Sequence, residues 1–92
     1  MSPGEQEPPP AYLQVARFSG ERPAGRAYSQ LQDSIFRSPG CELSVFRLIL
    51  DRQWHVTVLG EPPAEALDRR IRQVLSRGSP ASLPAEIVEE LQ

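Results

Sequence analysis

Few side chains in this sequence could do chemistry. His55 is its only histidine and Cys41 its only cysteine, and they fall at opposite ends of two neighbouring predicted strands, beyond hydrogen-bond reach. One histidine cannot form a two-histidine metal site, and one cysteine forms neither an internal disulfide nor a cysteine zinc site. The adjacent carboxylates Glu89 and Glu90 are typical of a solvated helix face. We therefore predict no catalytic residues, no metal site and no cofactor.

One segment has the composition of a ligand-binding loop. Residues 20–25 contain two glycines and a proline; glycines let a ligand approach the backbone, and the N–H groups that begin a following helix attract anions. The same composition is also typical of a plain connection. A Walker loop is excluded because it ends in Gly-Lys-Ser/Thr and the chain has no lysine. Gly20, Arg22 and Gly25 stay as a possible ligand loop.

The composition indicates one small domain outside the membrane. With 92 residues, 39% of them hydrophobic, and a net charge of −2, the chain can form one modest core and has no basic field to attract nucleic acid or anionic lipid. No apolar run approaches the ~20 residues of a membrane span, and the N-terminus lacks a secretory signal pattern. We expect a cytoplasmic protein with neither a nucleic-acid nor a membrane partner. The proline-rich residues 1–10 are predicted to be a disordered tail, and 11–92 a single domain.

Hydrophobic periodicity predicts the elements that position these residues. Alternating or continuous β-branched and aromatic residues predict strands, and apolar residues three and four apart predict helices. In chain order they are a strand over 11–19, a helix over 26–37, strands over 41–50 and 54–59, a helix between Pro62 and Gly78, a brief edge strand within 79–83 and a short helix over 84–91. With right-handed crossovers, this order predicts an α+β fold, a ferredoxin-like βαββα(β) sandwich with two helices on one face of an antiparallel sheet. The last helix has no capping glycine, so we expect a longer natural protein or a partner to complete it.

The register of the central hairpin decides which residues share a face. A three-residue connection over 51–53 pairs Leu50 with Trp54 and gathers the large apolar side chains against the helices. A two-residue connection would instead place Arg47 and His55 among apolar neighbours without evident partners. We therefore predict the three-residue connection. The face opposite the helices then presents Val45, Arg47, Ile49 and His55, joined by Tyr12 and Phe18 of the first strand.

Part of the first strand-loop-helix unit resembles a known family. Residues 18–35, above all Glu21-Arg22-Pro23-Ala24-Gly25 ahead of Leu31 and Ile35, resemble the opening of ACT regulatory domains. ACT domains have a ferredoxin-like order and bind amino acids or other small effectors at interfaces between paired domains. The resemblance implies an effector site at residues 20–25.

The predicted bare sheet face supports three functional hypotheses. We favour a non-enzymatic binding or assembly module in which this face, or the edge of the sheet, contacts a second copy in a homodimer or another protein. The first alternative is an ACT-like domain that binds a small-molecule effector. The second is an RNA-binding sheet, because arginine and aromatic side chains on a bare sheet can stack bases. The predicted interface residues are Tyr12, Phe18, Val45, Arg47, Ile49 and His55.

Overall fold

The described part of the chain is a small α+β domain with a four-stranded antiparallel sheet and three helices, which confirms the predicted class. The computed structural model describes residues 10–92, so all but the last residue of the predicted tail lies outside the described residues. The strands lie in the order β2-β3-β1-β4 across the sheet, and every pair is antiparallel. The elements are β1 (Tyr12–Phe18), α1 (Glu21–Phe36), β2 (Leu43–Leu50), β3 (Gln53–Gly60), α2 (Glu65–Leu75), β4 (Ser79–Pro80) and α3 (Ala85–Leu91).

The main core lies between one face of the sheet and the helices α1 and α2. Each of these helices has an apolar stripe at three- and four-residue spacing, and the strands present alternate residues to it. Burial of such aliphatic side chains stabilises a fold by about 1.5–3 kcal/mol each. The fully buried aliphatic residues of this core are Leu31 of α1, Val56 and Val58 of β3, and Ile71 and Val74 of α2.

The helix α1 begins earlier than the sequence predicts, so the possible ligand loop is not a loop. The helix starts at Glu21, directly after the extended residue Gly20, and contains both Arg22 and Gly25. Pro23 lies in the first turn, where an N–H would have no intrahelical acceptor, so a proline costs nothing there. Gly25 weakens a helix by about 1 kcal/mol relative to alanine, but burial of the helix stripe against the sheet outweighs this cost.

The β2–β3 hairpin has a two-residue turn, and the predicted three-residue connection is wrong. Leu50 pairs with Gln53, and the turn residues Asp51 and Arg52 have φ angles of 51° and 64°. Positive φ at both central positions is the geometry of a type I′ turn, whose twist matches that of paired strands. Because side chains alternate along a strand, the one-residue difference in register turns every side chain of β2 to the other face.

The helix α3 borders a groove on the second face of the sheet, opposite α1 and α2. This groove is lined by Leu50 and His55 of the hairpin and by Ile87 of α3. On the same face Thr57 and Leu59 are 0% and 5% exposed. The face that the sequence predicts to be bare is therefore partly covered within the chain itself.

Candidate interaction surface

The residues predicted to form an interface do not share one surface. Tyr12, Phe18 and Val45 lie in the core between the sheet and the longer helices, at 8%, 5% and 6% exposed. The register of the hairpin turns Val45 toward the helices together with Val58, its partner on β3. Tyr12 and Phe18 face the same way because they pair with Gly60 and Trp54, which are on the helix-facing side of β3. These three side chains are buried in the monomer and stabilise it.

His55 lies on the opposite face from the other predicted interface residues. It is 7% exposed, and its Nδ1 atom lies 3.0 Å from the carbonyl oxygen of Gln53. This partner cannot be predicted from the sequence, because a backbone carbonyl on the same strand is available to any residue type. Since Arg47 and His55 lie on opposite faces, the two polar residues of the predicted RNA-binding surface are not brought together.

Arg47 lies on the helix-facing side of β2 and yet remains exposed. Its guanidinium lies over the ring of Tyr28 in α1, 5.3 Å from the ring centroid. A contact of this kind contributes about 0.5–1 kcal/mol at an exposed site. The guanidinium also lies close to Gly25, where a Cβ atom would be 3.5 Å from Nη1 of Arg47, an ordinary van der Waals contact. Arg47 thus connects β2 to α1 through its contact with Tyr28, while its guanidinium remains exposed to solvent.

The outer edge of β2 presents an unpaired row of backbone groups. This strand of eight residues pairs with β3 on one side only. Residues that flank a two-residue turn form a hydrogen-bonded pair, and pairs with and without hydrogen bonds alternate from there. In the described part of the chain no backbone partner reaches the groups that consequently point outward. They are the N–H and C=O groups of Leu43, Val45, Arg47 and Ile49.

The two edges of the sheet differ in how well they are protected. The edge strand β4 has two residues and contains Pro80, which has no N–H to donate. Short length, proline and charge are the features that keep edge strands from pairing with other chains. β2 has a single charged residue, Arg47, and no proline, and its Ile49 side chain is 57% exposed. β4 covers only Ala16 and Arg17 of β1, so β2 is the longer continuous edge that can accept another strand.

Among the described residues, the free cysteine, the acidic side chains and the helices offer no further catalytic, metal-binding or membrane-spanning feature. Cys41 is a half-buried free thiol beside Pro39 and Leu67 in a groove of about 540 Å³. Residues 10–92 contain no group of three His, Cys, Asp or Glu side chains that could hold a metal ion. Among the described helices, none has the length and apolar character required to cross a bilayer.

A polar contact at the margin of the core ties β1 to α2. The Tyr12 hydroxyl donates to Oδ1 of Asp68 at 2.6 Å, and Nε of Arg72 donates to both oxygens of Asp68 at 3.1 and 3.0 Å. The hydrogen bond from Tyr12, followed by that from Arg72, holds the pKa of the Asp68 carboxyl below its usual value. Burial, and then the hydrogen bond to Asp68, raise the pKa of the Tyr12 hydroxyl.

We expect this contact to give the protein an acid-sensitive stability. The pKa of Asp68 is lower in the folded than in the unfolded chain, where it is about 3.9. The contribution of the Asp68 carboxylate to the free energy of unfolding is therefore complete above the unfolded pKa and is lost as the pH falls through the folded pKa. Tyr12→Phe removes the hydrogen bond that is the main cause of the lowered Asp68 pKa. The free energy of unfolding of this variant should therefore change less than that of the wild type between neutral and acid pH. Urea denaturation across this range measures the effect, and Asp33→Asn, in an exposed ion pair with Arg37, is the control. An unchanged acid dependence in Tyr12→Phe would contradict the assignment.

Function has to be inferred from the geometry of the sheet edge and the clefts, because similarity to known proteins offers no guide. No protein-family model matches this chain, and neither a curated protein nor a solved structure is significantly similar to it.

Proposed function

We propose that this chain is a non-enzymatic assembly module that forms a homodimer by pairing β2 with β2 of a second copy. The observation that carries the proposal is the eight-residue outer edge of β2, which is apolar and has one charge. We propose also that the domain is ferredoxin-like. That assignment is supported by the alternation β1-α1-β2-β3-α2-β4 along the chain and the order β4-β1-β3-β2 across the sheet.

An unpaired apolar edge favours association because it carries both hydrogen-bonding groups and apolar side chains. A backbone hydrogen bond contributes a net of about 0.5–1.5 kcal/mol, and an exposed, long, apolar edge strand readily pairs with another chain. Ile49, more than half exposed in the monomer, would lose water contact on pairing. Antiparallel pairing of two copies would join the two sheets into one continuous sheet.

The partner is a second copy because β2 is complementary to itself about a two-fold axis. With the axis at Phe46, the outward-pointing residue Leu43 meets Ile49 of the second copy, and Val45 meets Arg47 of the second copy. In this register every outward-pointing residue of β2 is paired with an outward-pointing residue of the second copy. An axis at Arg47 would place two like charges directly opposite each other, which is destabilising.

The same register brings two aromatic rings together on the second face of the sheet. Phe46 is half-buried and pairs with Thr57 of β3, so it faces away from α1. At the two-fold axis its ring meets that of the second copy, and aromatic pairs contribute about 0.5–1.5 kcal/mol beyond the area they bury. On the other face the two α1 helices would lie on the same side of the joined sheet.

We expect Ile49→Lys to weaken the dimer strongly while leaving the monomer folded. The substitution places an ammonium group opposite Leu43 of the second copy, twice in each dimer, and should raise the dissociation constant about 100-fold, or about 2.7 kcal/mol. Sedimentation velocity over a range of concentrations measures the change. Leu13→Lys is the matched control, because Leu13 is 37% exposed and lies on β1, separated from β2 by β3.

Hydrogen exchange gives a second and independent measure of the edge contact. The amides of Ser44, Phe46 and Leu48 point to β3 and should be protected at every concentration, whereas those of Val45 and Arg47 should become protected only as the dimer forms. A wild-type chain that sediments as a monomer at high micromolar concentration contradicts the proposal. A dimer without this alternating protection contradicts the edge as its interface.

A further inference from the structure

A cleft lies at the end of the sheet where β1 finishes and β3 begins. It has a volume of about 370 Å³, within the range of small-molecule sites. None of its lining residues belongs to β2, so it is separate from the proposed dimer edge. The cleft is lined by Arg17, Phe18, Ser19, Arg52, Gln53, Trp54 and Ser79.

The positive charges of the cleft have no counter-charge within the described residues. Neither Arg17 nor Arg52 forms an ion pair there, in contrast to the arginines of α2 that pair with neighbouring carboxylates. The nearest acidic residues in sequence, Glu21 and Asp51, do not line the cleft. The guanidinium group is a planar fork of N–H donors that matches the oxygens of a phosphate or carboxylate. Two unpaired guanidinium groups beside one cleft therefore favour an anionic ligand.

Arg52 occupies a position at which a side chain is costly. It is the second central residue of the type I′ turn, with φ of 64°, and this position is usually glycine because glycine adopts positive φ freely. A residue with a Cβ in this region costs about 1–2 kcal/mol. Strained residues of this type cluster at binding sites, where the side chain is needed.

The rest of the lining suits a ligand with an anionic and a planar part. The hydroxyl groups of Ser19 and Ser79 can donate to phosphate oxygens, and the half-buried indole of Trp54 offers an apolar wall. Arg17 and Trp54 lie on opposite faces of the sheet, and both line the cleft because it opens at the end of β1 and the start of β3. We propose that the cleft binds a small phosphate ester that carries a planar ring, with the phosphate held by Arg17 and Arg52 and the ring against Trp54. A nucleoside monophosphate has both parts.

The single tryptophan of the chain makes the test direct. Trp54 is the only tryptophan, so titration of the full chain with adenosine monophosphate should change its fluorescence to saturation. Inorganic phosphate should compete, and adenosine should bind more weakly because it lacks the charge. Arg17→Gln should weaken binding about tenfold or more, as expected for loss of a hydrogen bond to a charged group. Arg26→Gln, an exposed α1 arginine that does not line the cleft, should bind as the wild type does.

Arg52→Gly separates loss of binding from loss of folding. Glycine relieves the positive φ, which offsets the extra conformational freedom that it gives the unfolded chain, so the variant should melt no lower than the wild type and still bind adenosine monophosphate at least about tenfold more weakly. A flat fluorescence titration at millimolar ligand overturns the proposal. So does an equal response to chloride, or an equal loss of affinity in Arg17→Gln and Arg26→Gln, because either shows only general attraction of anions.

Discussion

Gly60→Ala should prevent folding or lower the free energy of unfolding by at least about 3 kcal/mol, because it combines backbone strain with steric overlap. Gly60 has φ of 143°, a region that residues with a Cβ rarely adopt. It is also paired on both sides, with Tyr12 of β1 and Leu43 of β2. A Cβ atom at this position would overlap the carbonyl oxygen of Glu42, and neither neighbouring strand can move without breaking its pairing.

The matched control is Gly20→Ala. Gly20 has an extended φ of −176°, and a Cβ atom there would meet no heavy atom within 4 Å. We expect this variant to change the free energy of unfolding by no more than about 0.5 kcal/mol. Circular dichroism and urea denaturation of both variants measure the difference. A folded Gly60→Ala chain with wild-type stability would show that β3 ends in another conformation.

Leu31→Ala should destabilise the domain by about 2–5 kcal/mol, because a fully buried leucine leaves a cavity when it is truncated. Leu31 is 0% exposed and belongs to the core cluster that joins α1 to the sheet and α2. The larger Phe36 on the same helix is 89% exposed. Phe36→Ala should therefore change stability by no more than about 0.5 kcal/mol, although it removes more apolar atoms.

The comparison of these two variants separates the effect of side-chain burial on stability from the effect of the residue type that is replaced. Both substitutions introduce alanine into α1, so intrinsic helix propensity cannot account for a large difference between them. Urea denaturation monitored by Trp54 fluorescence measures both. Equal losses of stability would mean that the Phe36 side chain is buried in solution, which would argue for a contact absent from the monomer.

Periodicity predicted most of the secondary structure but placed one boundary wrongly. The stripe containing Ala27 and Leu31 predicts α1, yet Pro23 and Gly25 moved its predicted start to residue 26. The helix begins at Glu21 because proline is harmless in a first turn and because one glycine costs less than the burial of the helix stripe provides. Local propensity could not reveal this, since the compensation comes from packing against the sheet.

The largest error of prediction concerns the faces of the hairpin. Residue types favour a three-residue connection, because a two-residue turn places Arg47 and His55 among apolar neighbours without evident partners. In the structure Arg47 stays exposed because β2 is an edge strand, and His55 Nδ1 donates a hydrogen bond to the carbonyl oxygen of Gln53. Residue types alone predict neither outcome. The exposure of Arg47 depends on the order of strands in the sheet, and the hydrogen bond of His55 depends on a backbone carbonyl.

Residue types and their spacing are enough to predict the type and order of the main elements, the α+β class and the small number of side chains suited to catalysis. Packing in three dimensions is needed to show which side of β2 meets the helices, which strand lies at the sheet edge, and that Arg17 and Arg52 line one cleft. This is because alternation along a strand is unchanged by a one-residue slip against its neighbour. Hydrophobic burial against α1 and α2, together with the twist of a type I′ turn, selects between the two registers.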